Sequence, residues 1–188
     1  GQGANELYDM NQNVLTTSSP TFANVTTTGH HIKTAPIGFS TVLTSQQSIS
    51  NSTYTLVNWN SDSGADYKFD LGSNFTTGIE KFTAPVDGLY FFKVGLIWKS
   101  AAWTAGENYI IGFVRDSATT PSFHRMFYTV HGAVTDIQGM HTSGLMNLDE
   151  NDTVGVMVWQ NSGGSVNIYG DTADSLYNQF TGHLVQAT

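Results

Sequence analysis

The sequence predicts an all-β domain built as a sandwich of two sheets, and three observations carry that prediction. From Ile37 onward, apolar runs alternate with turn residues about every 8–12 positions, the spacing of strands in a sandwich. One run, Gly88–Trp98, is apolar at every even position from Tyr90 to Trp98, the period-2 mark of a strand with a core face. No segment carries the periodicity of an amphipathic helix. About ten strands in about 150 residues, without a helix, need two packed sheets.

In chain order, residues 1–34 read as an extended neck, with Gly1-Gln2-Gly3 a cloning remnant. Thr, Ser and Asn dominate residues 11–29. Apolar residues are too sparse there for a separate core, so the segment would order only against other copies of itself. A boundary falls near Thr34-Ala35-Pro36, and residues 35–188 form the head. Strands are expected at 39–43, 54–59, 67–70 and 78–83. Pro85-Val86-Asp87-Gly88 is a tight turn into Gly88–Trp98. The odd members of that run include Leu89, Phe91 and Ile97 beside Lys93 and Gly95, a second face too apolar for open water. Further strands are expected at 109–115, Phe123–Val130, 135–148 with a kink at Gly139, Thr153–Gln160, 166–169 and 177–185. Asp149-Glu150-Asn151-Asp152 is the turn before the alternating Val154, Val156 and Val158. Ser162-Gly163-Gly164 is expected to close a hairpin from Trp159 to Val166.

Composition removes several functions. The 188 residues include 15 acidic and 7 basic side chains, a formal charge of −8, and only 12% charged residues. Nucleic acid is excluded as a partner, because phosphate binding needs a basic stripe that seven scattered cations cannot make. Hydroxyl, amide and glycine residues supply the polarity instead, as in β-rich proteins that work outside cells. There is no cysteine, hence no disulfide and no thiolate chemistry. No apolar run approaches the roughly 18 residues of a membrane span, so no membrane insertion is expected. The first Met is Met10, and the chain is expected to be an excised or processed piece.

Three segments resemble the globular head of complement C1q. Residues 82–92, Phe-Thr-Ala-Pro-Val-Asp-Gly-Leu-Tyr-Phe-Phe, are similar to its aromatic and "aPv.G.Y.F" signature. Residues 143–154, running from Ser143-Gly144-Leu145 to Asp152-Thr153-Val154, are similar to its "sg.l.L..gD.V" segment, with Asn151 where the family often has Gly. Phe180-Thr181-Gly182-His183-Leu184-Val185 is similar to its closing "FsG.ll" strand. The three stand in the family's order and cover most of residues 37–186. The resemblance implies a ten-stranded jelly roll of the C1q and tumour-necrosis-factor type, trimeric, with Leu89, Phe91 and Ile97 hidden between copies. The neck resembles segments that precede the tips of phage and viral fibres.

Catalysis finds no footing. There is no G-x-S-x-G, no P-loop and no HxH or HxxxH among the six His, and nothing pins two carboxylates over one cleft. His30-His31 read as solvated linker rather than as a metal site on a three-fold axis. No cofactor is assigned. Two carboxylate groups are considered for calcium, which takes 6–8 oxygens: Asp149, Glu150 and Asp152, against the plainer reading of a β-turn, and Asp171 and Asp174, against that of a solvated loop. Four N-x-[ST] sequons occur, at Asn24, Asn51, Asn74 and Asn151, no more than so Ser/Thr-rich a chain gives by chance.

Binding is the better prospect. Sugar recognition sets an exposed aromatic plane against the apolar face of the ring, with amide and carboxylate groups at its edge. The loop before Tyr109 places Trp103 among small residues. The loop from Tyr169 to Tyr177 adds Asp171 and Asp174. These six residues are the receptor or glycan candidates, the opposing reading being that Trp103 folds over the barrel end and Tyr169 or Tyr177 packs at the trimer flank. Trp59, Trp98 and Trp159 read as core or interface. The expected function is a non-enzymatic, homotrimeric head at the tip of a phage or virus fibre, on the virion surface, attaching to a host-surface glycan or protein. The alternatives are a secreted C1q-like recognition or signalling ligand and a purely structural trimerisation knob.

Overall fold

Tyr90, Phe92, Val94, Leu96 and Trp98 are buried while Leu89, Phe91, Lys93, Gly95 and Ile97 between them are half-buried or exposed, so the alternation read from the sequence is the one the chain adopts. The computed structural model describes residues 36–60, 63–64, 67–99, 105–116, 123–130 as backbone, 137–170 and 178–188, all within the unit Ala35–Thr188. The expected neck, with His30-His31, lies outside the described residues.

Numbered along the chain, β7 (Gly88–Trp98) is the spine of the first sheet. On one side β10 (Gln138–Leu148) pairs with its whole length. On the other, β13 (Gln179–Ala187) pairs from Gly88 to Gly95, and β12 (Val166–Ile168) takes over at Trp98. β1 (Gly38–Val42) and then β4 (Phe69–Leu71) follow β13, and β2 (Gln47–Ile49) follows β12. In the second sheet β11 (Thr153–Gln160) is central. β8 (Asn108–Arg115) and β9 (Phe123–Val130) lie on one side of it. On the other are β3 (Thr55–Leu56) and β6 (Lys81–Thr83), which carries β5 (Phe75–Thr76). Every pair is antiparallel, and no described residue is helical.

Three expectations need correction. The strand expected at 54–59 shortens to two residues, because Val57 and Trp59 turn into the core while Trp59 N donates to Val57 O at 3.1 Å. Gly139 makes no kink: β10 stays in register with β7 from Gln138↔Trp98 to Leu148↔Gly88. Ser162-Gly163-Gly164 closes no hairpin, since β11 and β12 belong to different sheets. The turn crosses the sandwich around the buried Gln160 amide. Its Nε2 donates to Ile49 O at 3.0 Å and Gly164 O at 2.8 Å, and its Oε1 accepts from Ser162 N at 2.7 Å.

The core fills the space between the sheets. Phe39 stacks on Phe75 and Phe82 at 4.9 and 5.1 Å and meets Phe180 edge-on at 4.8 Å. Phe92 packs across the sandwich on Phe113 at 5.9 Å. A ring of this size contributes about 1.5–3 kcal/mol when fully buried. A Cβ on Gly182 would come within 2.6 Å of Phe92 Cδ1 and 2.7 Å of Phe39 Cε1. The glycine of Phe180-Thr181-Gly182 is therefore required by two rings that occupy the place of a side chain.

The other two motif segments meet at one end of the sandwich. Tyr90 Oη donates to Val86 O at 2.7 Å, Ala84 N to Asp152 O at 2.8 Å, and Asn151 N to Ala84 O at 2.8 Å. Asn151 sits at φ 73°, a left-handed conformation that asparagine adopts more readily than most side chains. The backbone position that suits a glycine is thus one that Asn151 can also occupy.

Candidate functional site

On the outer face of the first sheet, one row of side chains crosses five strands. Register aligns Leu145 with Phe91, Phe91 with His183, His183 with Gly38, and Gly38 with Leu71. Leu145 is 56% exposed and Leu71 42%, Val185 at the β13 bulge is 51% exposed, and Phe69 is exposed beside Leu71. Phe91, Ser143, Leu145, His183 and Val185 line a shallow groove. Leu89 and Ile97 are half-buried on the same face. The three residues expected at an interface between copies therefore share one apolar surface. The reading missed its most exposed members, Leu145 and Val185. Leu145 was recoverable, because Met140, Met146 and Leu148 turn inward and leave the odd residues facing out.

This face is also segregated by charge. Its register positions carry Lys93, His141 and His183, and no carboxylate stands among them. The chain as a whole has a formal charge of −8. Two copies meeting here would not have to desolvate an unpaired acid, the costliest obstacle to association of an acidic protein.

The receptor candidates divide. Trp103, Asp171, Asp174 and Tyr177 lie outside the described residues. Tyr169 is half-buried, and its N–H donates to Ile97 O at 2.8 Å, prolonging β12 beside β7. Tyr109 is corrected: it is fully buried, packed edge-to-face on Trp98 at 5.1 Å, with its hydroxyl donating to Glu107 Oε2 at 3.2 Å. Burial, reinforced by that carboxylate, pushes the phenol well above its ordinary range. The cause is strand phase, since Tyr109 shares the inward face of β8 with Ile111 and Phe113. Trp59 and Trp98 are core. Trp159 is not: it stands half-buried on the outer face of the second sheet, 6.2 Å from Tyr54.

Of the carboxylates considered for calcium, Asp149, Glu150 and Asp152 are committed to a turn, and Asp171 and Asp174 lie outside the described residues. The Arg115 guanidinium pairs with Asp152 and lies 3.5 Å from Asp149 Oδ2 and 3.7 Å from Asp116 Oδ2. Asp152 Oδ2 also accepts from Asp149 N at 2.8 Å, and Asp87 Oδ1 accepts from Glu150 N at 2.6 Å. An arginine already supplies the positive charge. Among the described residues no three His, Asp or Glu side chains are gathered as metal ligands.

No family model and no curated protein matches the chain. Solved structures do. A structure of Eiger TNF from S. frugiperda superposes with a TM-score of 0.60 at 9% identity, over 82% of this chain and 95% of that one. The globular domain of zebrafish complement 1qA protein superposes with a TM-score of 0.52 at 14% identity, over 81% and 99%. The fold is a C1q/TNF-like jelly roll, with thirteen strands among the described residues.

Proposed function

We propose that this chain is a non-enzymatic recognition head that works as a homotrimer, carried at the tip of a phage or virus fibre and attaching it to a glycan or protein on a host surface. The observation that carries the trimer is the outer face of the first sheet, where Leu145, Phe91, Val185, Phe69 and Leu71 make an apolar surface around His183 and no carboxylate intervenes. A surface of that kind is covered by a partner in a soluble protein, and cyclic copies of one chain are the common way to do it. Three modest sites on one rigid body then raise apparent affinity by orders of magnitude. The fibre setting is supported by the resemblance of residues 11–29 to segments that precede the tips of phage and viral fibres.

A second reading, a secreted recognition or signalling ligand, is favoured by the two structural neighbours, a TNF and a complement head. Sedimentation velocity at micromolar concentration tests the assembly, the expected species having three times the chain mass. Binding of the fluorescent head to host cells, competed by purified surface polysaccharide, tests the adhesin. A trimer that binds no cell supports a structural knob. Any coding sequence found upstream of Gly1 would separate fibre from secreted ligand.

A further inference from the structure

We infer that Trp159 and Tyr54 form a stacking platform for the apolar face of a neutral hexopyranose, on the outer face of the second sheet. The inference deepens the proposed glycan recognition and rests on it, but the site is separate from every residue assigned to that role from the sequence.

Val154, Val156, Val158 and Gln160 face the core, so Met157 and Trp159 point out. The Tyr54 ring, 46% exposed, lies 6.2 Å from the Trp159 ring at an angle of 38°. Two rings set this way make a shallow trough rather than a closed stack, and nearly half of Tyr54 is in solvent. Ile110, paired with Trp159 across β8, flanks the trough on the far side. Leu56 lies along the same face, its Cδ1 2.9 Å from the place a Cβ on Gly155 would take.

At the end of the trough the rim is polar and fixed. Ser52 N donates to Gln160 O at 2.7 Å, bringing the segment before Tyr54 beside the end of β11. Asn51 Oδ1 accepts from Gly163 N at 2.8 Å and Asn161 Oδ1 from Asn108 N at 2.6 Å. With both carbonyls engaged, the two Nδ2 groups are donors held at the rim, while the Ser162 hydroxyl donates to Gln160 Oε1 at 2.6 Å. Aromatic faces with amide groups at one edge match a sugar, whose ring has an apolar face and a hydroxylated perimeter. Residues 51, 52, 54, 159 and 161–163 carry no charge, and the nearby Glu107, next to the Asn108 that holds Asn161, is an acid that disfavours an anionic sugar. The platform lies on the opposite sheet from the carboxylate-free face, so a trimer closed through that face leaves it open.

The test uses a printed array of neutral and anionic hexose glycans, followed by fluorine NMR of the head labelled with 5-fluorotryptophan, the Trp159 signal being assigned with Trp159→Phe. The expected result is retention on neutral hexose glycans, with a saturable shift of the Trp159 signal. Trp159→Ala and Tyr54→Ala should each weaken binding about tenfold or more, the scale of losing an aromatic anchor. Ile79→Ser, exposed elsewhere, should leave it unchanged. Tyr54→Ala keeps the test valid if Trp159→Ala does not fold. Glycan binding that survives both platform variants but is lost in Trp103→Ala overturns the platform and leaves glycan recognition standing. Retention of anionic glycans alone also overturns it. A head that binds its host only through a protein, with no glycan retained, overturns both.

Discussion

The His183 imidazole lies 5.5 Å from the Phe91 ring, tilted 47° to it, on paired positions of β13 and β7. It gives Phe91 partial cover, while Leu145 on the other side of Phe91 stays 56% exposed. The row is complete on its own sheet and has no second layer from the described chain, which makes it the place to break the proposed assembly. Leu145→Asp puts an unpaired carboxylate there, at a cost of about 3–5 kcal/mol if the position is buried between copies. The expected outcome is a folded monomer at micromolar concentration, with near-ultraviolet circular dichroism preserved. A Leu145→Asp head that still sediments as a trimer places the contact elsewhere.

Gly182→Ala tests the core beneath that row. The added Cβ meets three carbons of two rings closer than 3 Å, and overpacking of this kind costs roughly 1–3 kcal/mol. Urea unfolding should show a lower midpoint at unchanged slope. An unchanged midpoint would mean that Phe39 and Phe92 have room to move.

Gln160→Leu removes the amide around which the chain crosses between sheets. Ile49 O, Gly164 O and Ser162 N lose their partner, and a buried group left unpaired costs about 1–3 kcal/mol. The variant should melt lower and expose the 161–165 turn to protease before the rest of the head unfolds. Cleavage no faster there than in the parent contradicts the role.

Two phenols make the head sensitive to alkali. Burial raises the pKa of Tyr90 and of Tyr109 above the ordinary 10.0, with Asp87 and Glu107 acting in the same direction. A raised folded value favours the neutral phenol in the native state. That stabilisation is present in full below pH 10 and is lost as pH rises from there toward the folded values. Absorbance at 295 nm should show these two tyrosines ionising together with unfolding. Reversible ionisation of all eight tyrosines near pH 10, with the fold intact, would contradict their burial.

Strand phase explains what could be read early and what could not. The alternation of Tyr90, Phe92, Val94, Leu96 and Trp98 is local, so the faces of β7 were legible from adjacent residues alone. Tyr109 and Trp159 carried the same information in their Ile and Val neighbours. Taking Tyr109, the first residue of an expected strand, as a binding candidate, and leaving Trp159 as core or interface, left that information unused.

By itself the sequence determined that the chain forms β-structure and which side of β7 is core. These depend on a two-residue period, written along the chain. Only the tertiary structure decided that Leu145, Phe91, His183 and Leu71 share one row, that Arg115 sits among the acids of a distant turn, and that Tyr54 meets Trp159. Each of those joins residues far apart in sequence, and cross-strand register is set by the packing of the whole core rather than by any segment within it.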